Sequence, residues 1–243
     1  MILLEALEDV TKLACIVAGL YFAARLYARR RQPAWTEPLD RRRVAVLWLL
    51  ALGASAIKVT EDALGGDSGP IDHAVLLFLH AHVPLGLTGF FEAITLTASA
   101  RALGLLTLAA TLVLVTAKRR FEAWLLAGSV ICAVVVVYAV KVLVGRARPA
   151  LWDTRWYWGS SFPSGHTLLV AAFATATALI LGRLWPAARP AALATALVWI
   201  ALVAASRLVL GVHWPTDVLA AACVGAAIPL GLGLVLEWRA RPR

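Results

Sequence analysis

Charged residues are scarce in this sequence. They make up 15% of its 243 residues, whereas 61% of the residues are hydrophobic. A soluble domain needs more polar surface than this to cover its core. The apolar residues come in runs long enough to cross about 30 Å of hydrocarbon, separated by short charged or Pro/Gly-containing stretches. The composition therefore excludes an ordinary soluble domain and predicts one all-α integral membrane protein.

Cysteine is also scarce, and basic residues are missing from the first nine positions. The three cysteines lie in separate apolar runs, which excludes a disulfide framework or a metal-binding spacing, and we interpret them as small apolar fillers. They are Cys15, Cys132 and Cys223. Because a cleavable signal peptide opens with positive charge, we expect the first apolar run to be retained.

Seven membrane spans are predicted from the apolar runs. Their ranges are 10–28, 44–63, 97–117, 123–144, 167–182, 190–206 and 218–236. The first contains Lys12 and Arg25, so a helix lying in the membrane interface is its alternative interpretation. The segment 64–96 is too polar to cross, and we expect one or two short helices there on the outer surface, beginning near Asp72.

The basic residues predict the orientation of the chain. Seven spans place four basic clusters on one side, which must be the cytoplasm because short cytoplasmic loops are enriched in Lys and Arg. These clusters are Arg29–Arg31 with Arg41–Arg43, Lys118–Arg120, Arg183 with Arg189, and Arg239, Arg241 and Arg243. The N-terminus is then outside and the C-terminus inside. The net charge of +9 is thus explained by the membrane, and no nucleic-acid partner is expected.

Five basic residues gather on the predicted outer side, against this tendency. They lie in or beside the loops joining spans four to five and six to seven: Lys141, Arg146, Arg148, Arg155 and Arg207. Anchoring to lipid headgroups explains scattered residues such as Lys58 and Arg101 but not such a concentration.

Two groups of residues in the first of these loops suit an anion. Lys141 ends a long apolar helix, and Arg148 is followed by Pro149, which takes the chain out of helical geometry. A guanidinium can bind two phosphate oxygens while a lysine supplies a mobile charge. The second group is Phe162-Pro163-Ser164-Gly165-His166, directly before an apolar run. Ser164 and Gly165 would thus lie at a helix N-terminus, where free backbone N–H groups attract anions.

A third group lies at the other loop. Ser206-Arg207 is followed by His213 and, four residues later, by Asp217. A carboxylate that accepts a hydrogen bond from one imidazole nitrogen leaves the other nitrogen free to attack. Each group alone is a weak signal, since capping, structural histidines and solvated arginines give the same patterns. The predicted topology brings all three to one membrane face, where they could converge on a single anion.

With these three motifs the sequence resembles the type 2 phosphatidic acid phosphatase (PAP2) superfamily of membrane lipid phosphatases. The resemblance rests on Lys141 with Arg148-Pro149, on Pro163-Ser164-Gly165-His166, and on Ser206-Arg207 with His213 and Asp217. It extends over about residues 44–236 and implies a six-helix transmembrane core, with the first span as an additional helix. We accordingly expect an N-terminal helix and basic loop in 1–43, a phosphatase core in 44–236 and a basic cytoplasmic tail in 237–243.

The resemblance also implies roles for the motif residues in a hydrolysis that needs no metal or cofactor and passes through a phosphohistidine. His213 would be the nucleophile, Asp217 its orienter and His166 the general acid. The phosphoryl oxygens would be held by a second set: Lys141, Arg148, Ser164, Gly165 and Arg207. Arg146 and Arg155 are not motif positions, and we interpret them as headgroup contacts. Trp152, Trp156, Tyr157, Trp158 and Trp214 are typical of an aromatic belt, with guidance of a lipid tail as the alternative.

The expected substrate is a phospholipid or a polyprenyl phosphate, for which undecaprenyl diphosphate, phosphatidylglycerol phosphate and phosphatidic acid are the candidates. We expect a bacterial inner membrane, with the site on the periplasmic side, and infer no protein partner. Phosphotransfer to a hydroxyl acceptor is the alternative function, because it shares the covalent step. A transporter or anion channel is less favoured, since it would not need His213 and Asp217 at this spacing.

Overall fold

The computed structural model describes residues 2–31, 42–154 and 159–239 of the chain. The described residues form nine α-helices and two short 3₁₀ turns. In chain order the helices are α1 (Ile2–Arg31), α2 (Arg43–Gly65), α3 (Gly69–His82), α4 (Thr88–Thr97), α5 (Ala100–Thr116), α6 (Arg120–Val144), α7 (Gly165–Leu184), α8 (Arg189–Val209) and α9 (Pro215–Arg239). The all-α fold predicted from the apolar runs is confirmed.

Six of these helices are long and apolar enough to cross a membrane. They are α1 from Glu8 onward, α2, α6, α7, α8 together with the 3₁₀ turn before it, and α9. The remaining predicted span, 97–117, corresponds to α5, whose 17 residues lie at the lower limit for crossing. The segment 64–96 contains the expected short helices, and the chain bends by 98° between α3 and the helical segment Leu85–Thr97.

Helix α7 is the centre of the bundle. Its most apolar 18-residue stretch has the largest buried share among the candidate spans, 61%, and the helix packs against α6, α8 and α9. Close packing against α9 depends on Gly225, where an added Cβ would lie 2.5 Å from the backbone oxygen of Leu168. The additional helix α1 packs on α2, and the most apolar 18-residue stretch of its span has no buried residue. Its place at the edge of the bundle agrees with an addition to a core.

The basic clusters meet at one end of the bundle, as the predicted topology requires. Arg42 donates to both carboxylate oxygens of Glu237 at 3.0 and 2.5 Å, which joins the start of α2 to the end of α9. Arg183 of α7 lies 3.2 Å from Glu122 of α6 and 3.4 Å from Glu237. The Lys141, His166 and Asp217 ends of α6, α7 and α9 therefore lie at the opposite end.

Two of the predicted basic segments are described only in part, because residues 32–41 and 240–243 lie outside the described residues. Arg41, Arg241 and Arg243 lie outside the described residues, as do Arg155, Trp156, Tyr157 and Trp158. The expectations for these positions stay predictions.

The close contact at Gly225 yields a test of the packing. We expect Gly225→Ala to destabilise the protein by about 1–3 kcal/mol, because the added Cβ meets backbone that cannot rotate away. Thermal unfolding in detergent measures the change. Gly104→Ala in α5 is the matched control, since nothing lies within 4 Å of the added Cβ there. Equal unfolding temperatures for the two variants would contradict the packing argument.

Candidate active site

Two glycines in the left-handed backbone conformation lie at the start of the loops that carry the site residues. Helix α6 ends at Val144 and is followed by Gly145 with φ of 64°, and α8 is followed by Gly211 with φ of 65°. Glycine suits this position because it has no Cβ to clash. Arg148 and His213 follow their glycines by three and two residues. Both side chains thus lie at the same end of the bundle.

Gly211 also makes room for an aromatic ring. An added Cβ would lie 2.6 Å from the ring of Trp152, and that ring stacks on His80 of α3 at 4.1 Å. Trp214 touches α3 as well, with its ring 4.7 Å from that of His73. These two tryptophans therefore pack between the site loops and α3, which a belt at the headgroup level would not by itself require.

His213 is buried, with 2% of the residue exposed. Its Nε2 lies 3.4 Å from Nη1 of Arg148, whose Nη1 also donates to the Val212 carbonyl oxygen at 2.8 Å. Because a guanidinium has only donors, Nε2 must be the acceptor in this contact. The proton of the neutral ring then lies on Nδ1, which is 3.5 Å from Oδ2 of Asp217. Nε2 carries the lone pair.

The environment of His213 keeps its imidazole neutral. Burial is the main cause that lowers its pKa to about 4, and the charges of Arg207 and Arg148 lower it further. Asp217 opposes both effects. A group whose pKa is lowered to this value loses its proton as the pH rises past about 4, so the imidazole is unprotonated at neutral pH and could act as a nucleophile.

Asp217 is fully buried at the third position of α9. Its Oδ2 accepts hydrogen bonds from the Ser161 hydroxyl and, at 2.9 Å, from the Trp214 backbone N–H. Its Oδ1 accepts from Arg146 Nη1 at 2.6 Å. The carboxylate is therefore fixed in one orientation, with His213 beside it.

The three cations of the predicted site come from α6, from the loop that follows it and from α8. Lys141 at the end of α6 donates to the Ser160 carbonyl oxygen, to which Arg148 Nη2 also points at 3.5 Å. Arg207, at the end of α8, is fully buried, and its Nη1 lies 3.3 Å from Oγ1 of Thr95. Thr95 in turn bonds the Ser206 hydroxyl at 2.7 Å. Each cation is thus held in place by neutral oxygen atoms.

The N-terminus of α7 lies among these groups. Ser164 and Gly165 begin the helix, and the Ser164 hydroxyl bonds the Thr167 hydroxyl at 3.0 Å instead of capping the helix. Its backbone N–H donates to the Asp217 carbonyl oxygen at 3.2 Å. His166 follows, and the groups that act on its ring through space are Lys141, Arg148, Arg207 and His213. The structure therefore brings all eight sequence-predicted residues together.

Four residues of this site were missed by sequence reasoning. Ser161 and Thr95 carry no sequence signal beyond their type, because their partners are far away in the chain. Asp72 was taken only as the start of a short helix. Arg146 was interpreted as a headgroup contact, and this is corrected: its side chain is 15% exposed and pairs with Asp72 and Asp217.

The comparisons with known proteins agree with this geometry. A family model described as the PAP2 superfamily matches residues 122–241. The matched segment is just under half of the chain. This segment holds the three motifs, and the PAP2 resemblance stated from them is confirmed.

Over 70 residues the chain is 44% identical to phosphatidylglycerophosphatase B of Escherichia coli (strain K12). The same identity is found with the protein of that name from Shigella flexneri. The matched region covers 29% of this chain and only 26% of the length of these curated relatives.

Two solved structures share the PAP2 fold with this chain. A transmembrane PAP2-type phosphatidylglycerolphosphate phosphatase from Bacillus subtilis superposes with a TM-score of 0.72 at 20% identity, covering 79% of this chain and 97% of that one. LpxE from Aquifex aeolicus superposes with a TM-score of 0.51 at 21% identity, covering 68% of this chain and 93% of LpxE. At these identities the likeness establishes the fold.

The state of His213 can be measured directly. We expect its imidazole to titrate near pH 4, because burial and two arginines disfavour the charged form. Histidine ¹³C labelling and NMR in lipid nanodiscs would follow the titration, and the chain has only five histidines to assign. The resonance missing from His213→Ala identifies the signal. A midpoint near 6.5, the value of a solvated histidine, would contradict the buried, cation-flanked environment.

Proposed function

We propose that this protein is a lipid phosphate or diphosphate phosphatase that works through a phosphohistidine at the outer face of the membrane. The observation that carries the proposal is the pairing of an unprotonated His213 Nε2 with Arg148 on one side and a fixed Asp217 carboxylate on the other. A nucleophile, its orienter and a phosphate-binding cation thus lie side by side.

In the first step Nε2 of His213 attacks phosphorus, and the bond from phosphorus to the leaving oxygen breaks. His166 gives a proton to that oxygen. The imidazole gains positive charge as the new bond forms, and the Asp217 carboxylate stabilises it. In the second step water attacks the phosphohistidine, loses its proton to His166, and releases inorganic phosphate and free His213.

The charge on the transferred group is met by Lys141, Arg148, Arg207 and the N-terminus of α7. Phosphoryl transfer depends mainly on such positioning and charge stabilisation. Since these groups belong to the protein, we propose that the reaction needs no metal. The lipid substrate would be undecaprenyl diphosphate, phosphatidylglycerol phosphate or phosphatidic acid. The relatives named for phosphatidylglycerophosphate activity support a substrate of this class.

The proposed reaction predicts metal-independent phosphate release. We expect the purified protein to liberate inorganic phosphate from at least one of these three lipids in detergent containing EDTA. His213→Ala should abolish turnover, whereas His82→Ala, in which the lost ring stacks on Phe78, should retain it. Full activity of His213→Ala, or strict dependence on added divalent metal, would rule out the mechanism. Transfer of phosphate to an added alcohol in preference to water would identify a phosphotransferase.

The position of the basic clusters relative to the site predicts the side of the membrane on which the C-terminus lies. Because the basic clusters lie at the end of the bundle away from His213, we expect that end to face the cytoplasm. Green fluorescent protein fused after Arg243 should fluoresce in a bacterial host, and alkaline phosphatase fused there should be inactive. The reverse pattern would place the site inside the cell and remove periplasmic carrier lipids from the candidate substrates.

A further inference from the structure

The residue that precedes helix α9 offers no capping side chain. The first residue of the helix is Pro215, and the residue before it is Trp214, whose side chain has no oxygen to accept from the first turn. Asp72 of α3, 144 residues away, supplies the missing acceptor: its Oδ1 accepts the Thr216 N–H at 3.1 Å, and its Oδ2 the Thr216 hydroxyl at 2.7 Å. Asp217 completes a capping box by accepting the Trp214 N–H. Asp72 therefore fixes the turn that carries Asp217.

Arg146 joins the same two carboxylates. Its Nη1 lies 2.6 Å from Oδ1 of Asp217 and its Nη2 lies 2.9 Å from Oδ2 of Asp72. Both carboxylates are buried, with 1% of Asp72 and 0% of Asp217 exposed. A planar guanidinium can bridge two acceptors in this way, whereas a lysine is a single point charge. Arg146 is thus the link between the outer helix α3 and the orienter of His213.

The charges of this triad have a consequence for His213. Asp72, Arg146 and Asp217 together carry one net negative charge, as Asp217 would alone. Arg146 on its own would cancel the charge that stabilises a cationic His213, and Asp72 offsets Arg146. The other groups that act on His213 through space are cationic or neutral: Arg148, Arg207 and His166. The triad is therefore the main source of negative charge beside the nucleophile.

We propose that Asp72 and Arg146 are positioning residues of the reaction, which hold the Asp217 carboxylate toward His213 while leaving its negative charge uncancelled. The catalytic part of this proposal rests on the proposed phosphatase function. Its electrostatic part concerns the His213 imidazole alone and holds whatever the substrate. If the two residues served only in packing, removing the negative charge of Asp72 and removing the positive charge of Arg146 would not shift the pKa of His213 in opposite directions.

The test uses the titration of His213 in labelled protein in nanodiscs. Asp72→Asn removes a negative charge and leaves Arg146 uncompensated, so the pKa of His213 should fall. Arg146→Met removes a positive charge, so the pKa should rise. The double variant restores the wild-type net charge and should return the pKa toward the wild-type value. Asp67→Asn and Arg101→Met make the same chemical changes at exposed positions and should leave the pKa unchanged.

Opposite shifts in the two single variants, with recovery in the double variant, support the proposal. Shifts in the same direction, as expected if both variants simply open the site to water, would overturn it, and so would the absence of any shift. If Arg146→Met does not fold, Asp72→Asn and the double variant still decide, because the first must lower the pKa and the second must restore it.

Turnover separates this inference from the proposed function. Arg146→Lys keeps the charge but not the bridge, so we expect an unchanged pKa of His213 and a fall in kcat of about 10- to 100-fold, by analogy with residues that orient a metal-bound histidine. KM should change little, because neither residue is placed against the substrate. Wild-type kcat and KM in this variant would overturn the positioning role. If the wild-type protein released no phosphate from any lipid, the proposed function would fail while the titration still tested the charge argument.

Discussion

A buried carboxylate is stable only when donors meet its charge, and the site is built around one such group, Asp217. Its two oxygens accept from the loop before α7, from the backbone at the start of α9 and from Arg146 after α6. The two ends of the α6–α7 loop and the turn before α9 are therefore held to one another through a single side chain. The position of His213 follows from this, because Asp217 can orient the ring only while it is itself immobile.

The site combines strong positive charge with a neutral histidine, and the two features have the same cause. Burial away from water strengthens the attraction of Lys141, Arg148 and Arg207 for an anion, and it also disfavours a proton on His213. An approaching phosphate dianion would reduce the repulsion that these cations exert on the imidazole. The charge that His213 acquires on attack would thus develop when the surroundings have become least unfavourable to it.

Much of this architecture is readable from the sequence, since both membrane helices and the three motifs are local patterns. The predicted spans 123–144 and 167–182 lie within α6 and α7, and each motif residue reaches the site. Asp72 and Thr95 were not predictable, because their partners Thr216 and Arg207 are 144 and 112 residues away. The interpretation of Arg146 was wrong for a related reason. An arginine on the outer side of the membrane is usually solvated, and only the fold shows that Arg146 pairs with two carboxylates.

Helix α3, within the segment 64–96, has two different sides. One side presents exposed apolar side chains such as Ile71, Leu77 and Phe78. The other side carries Asp72, which is tied to the first turn of α9 and to Arg146. Loss of the carboxylate at position 72 would remove the acceptor at the start of α9 and one of the two carboxylates that bind Arg146.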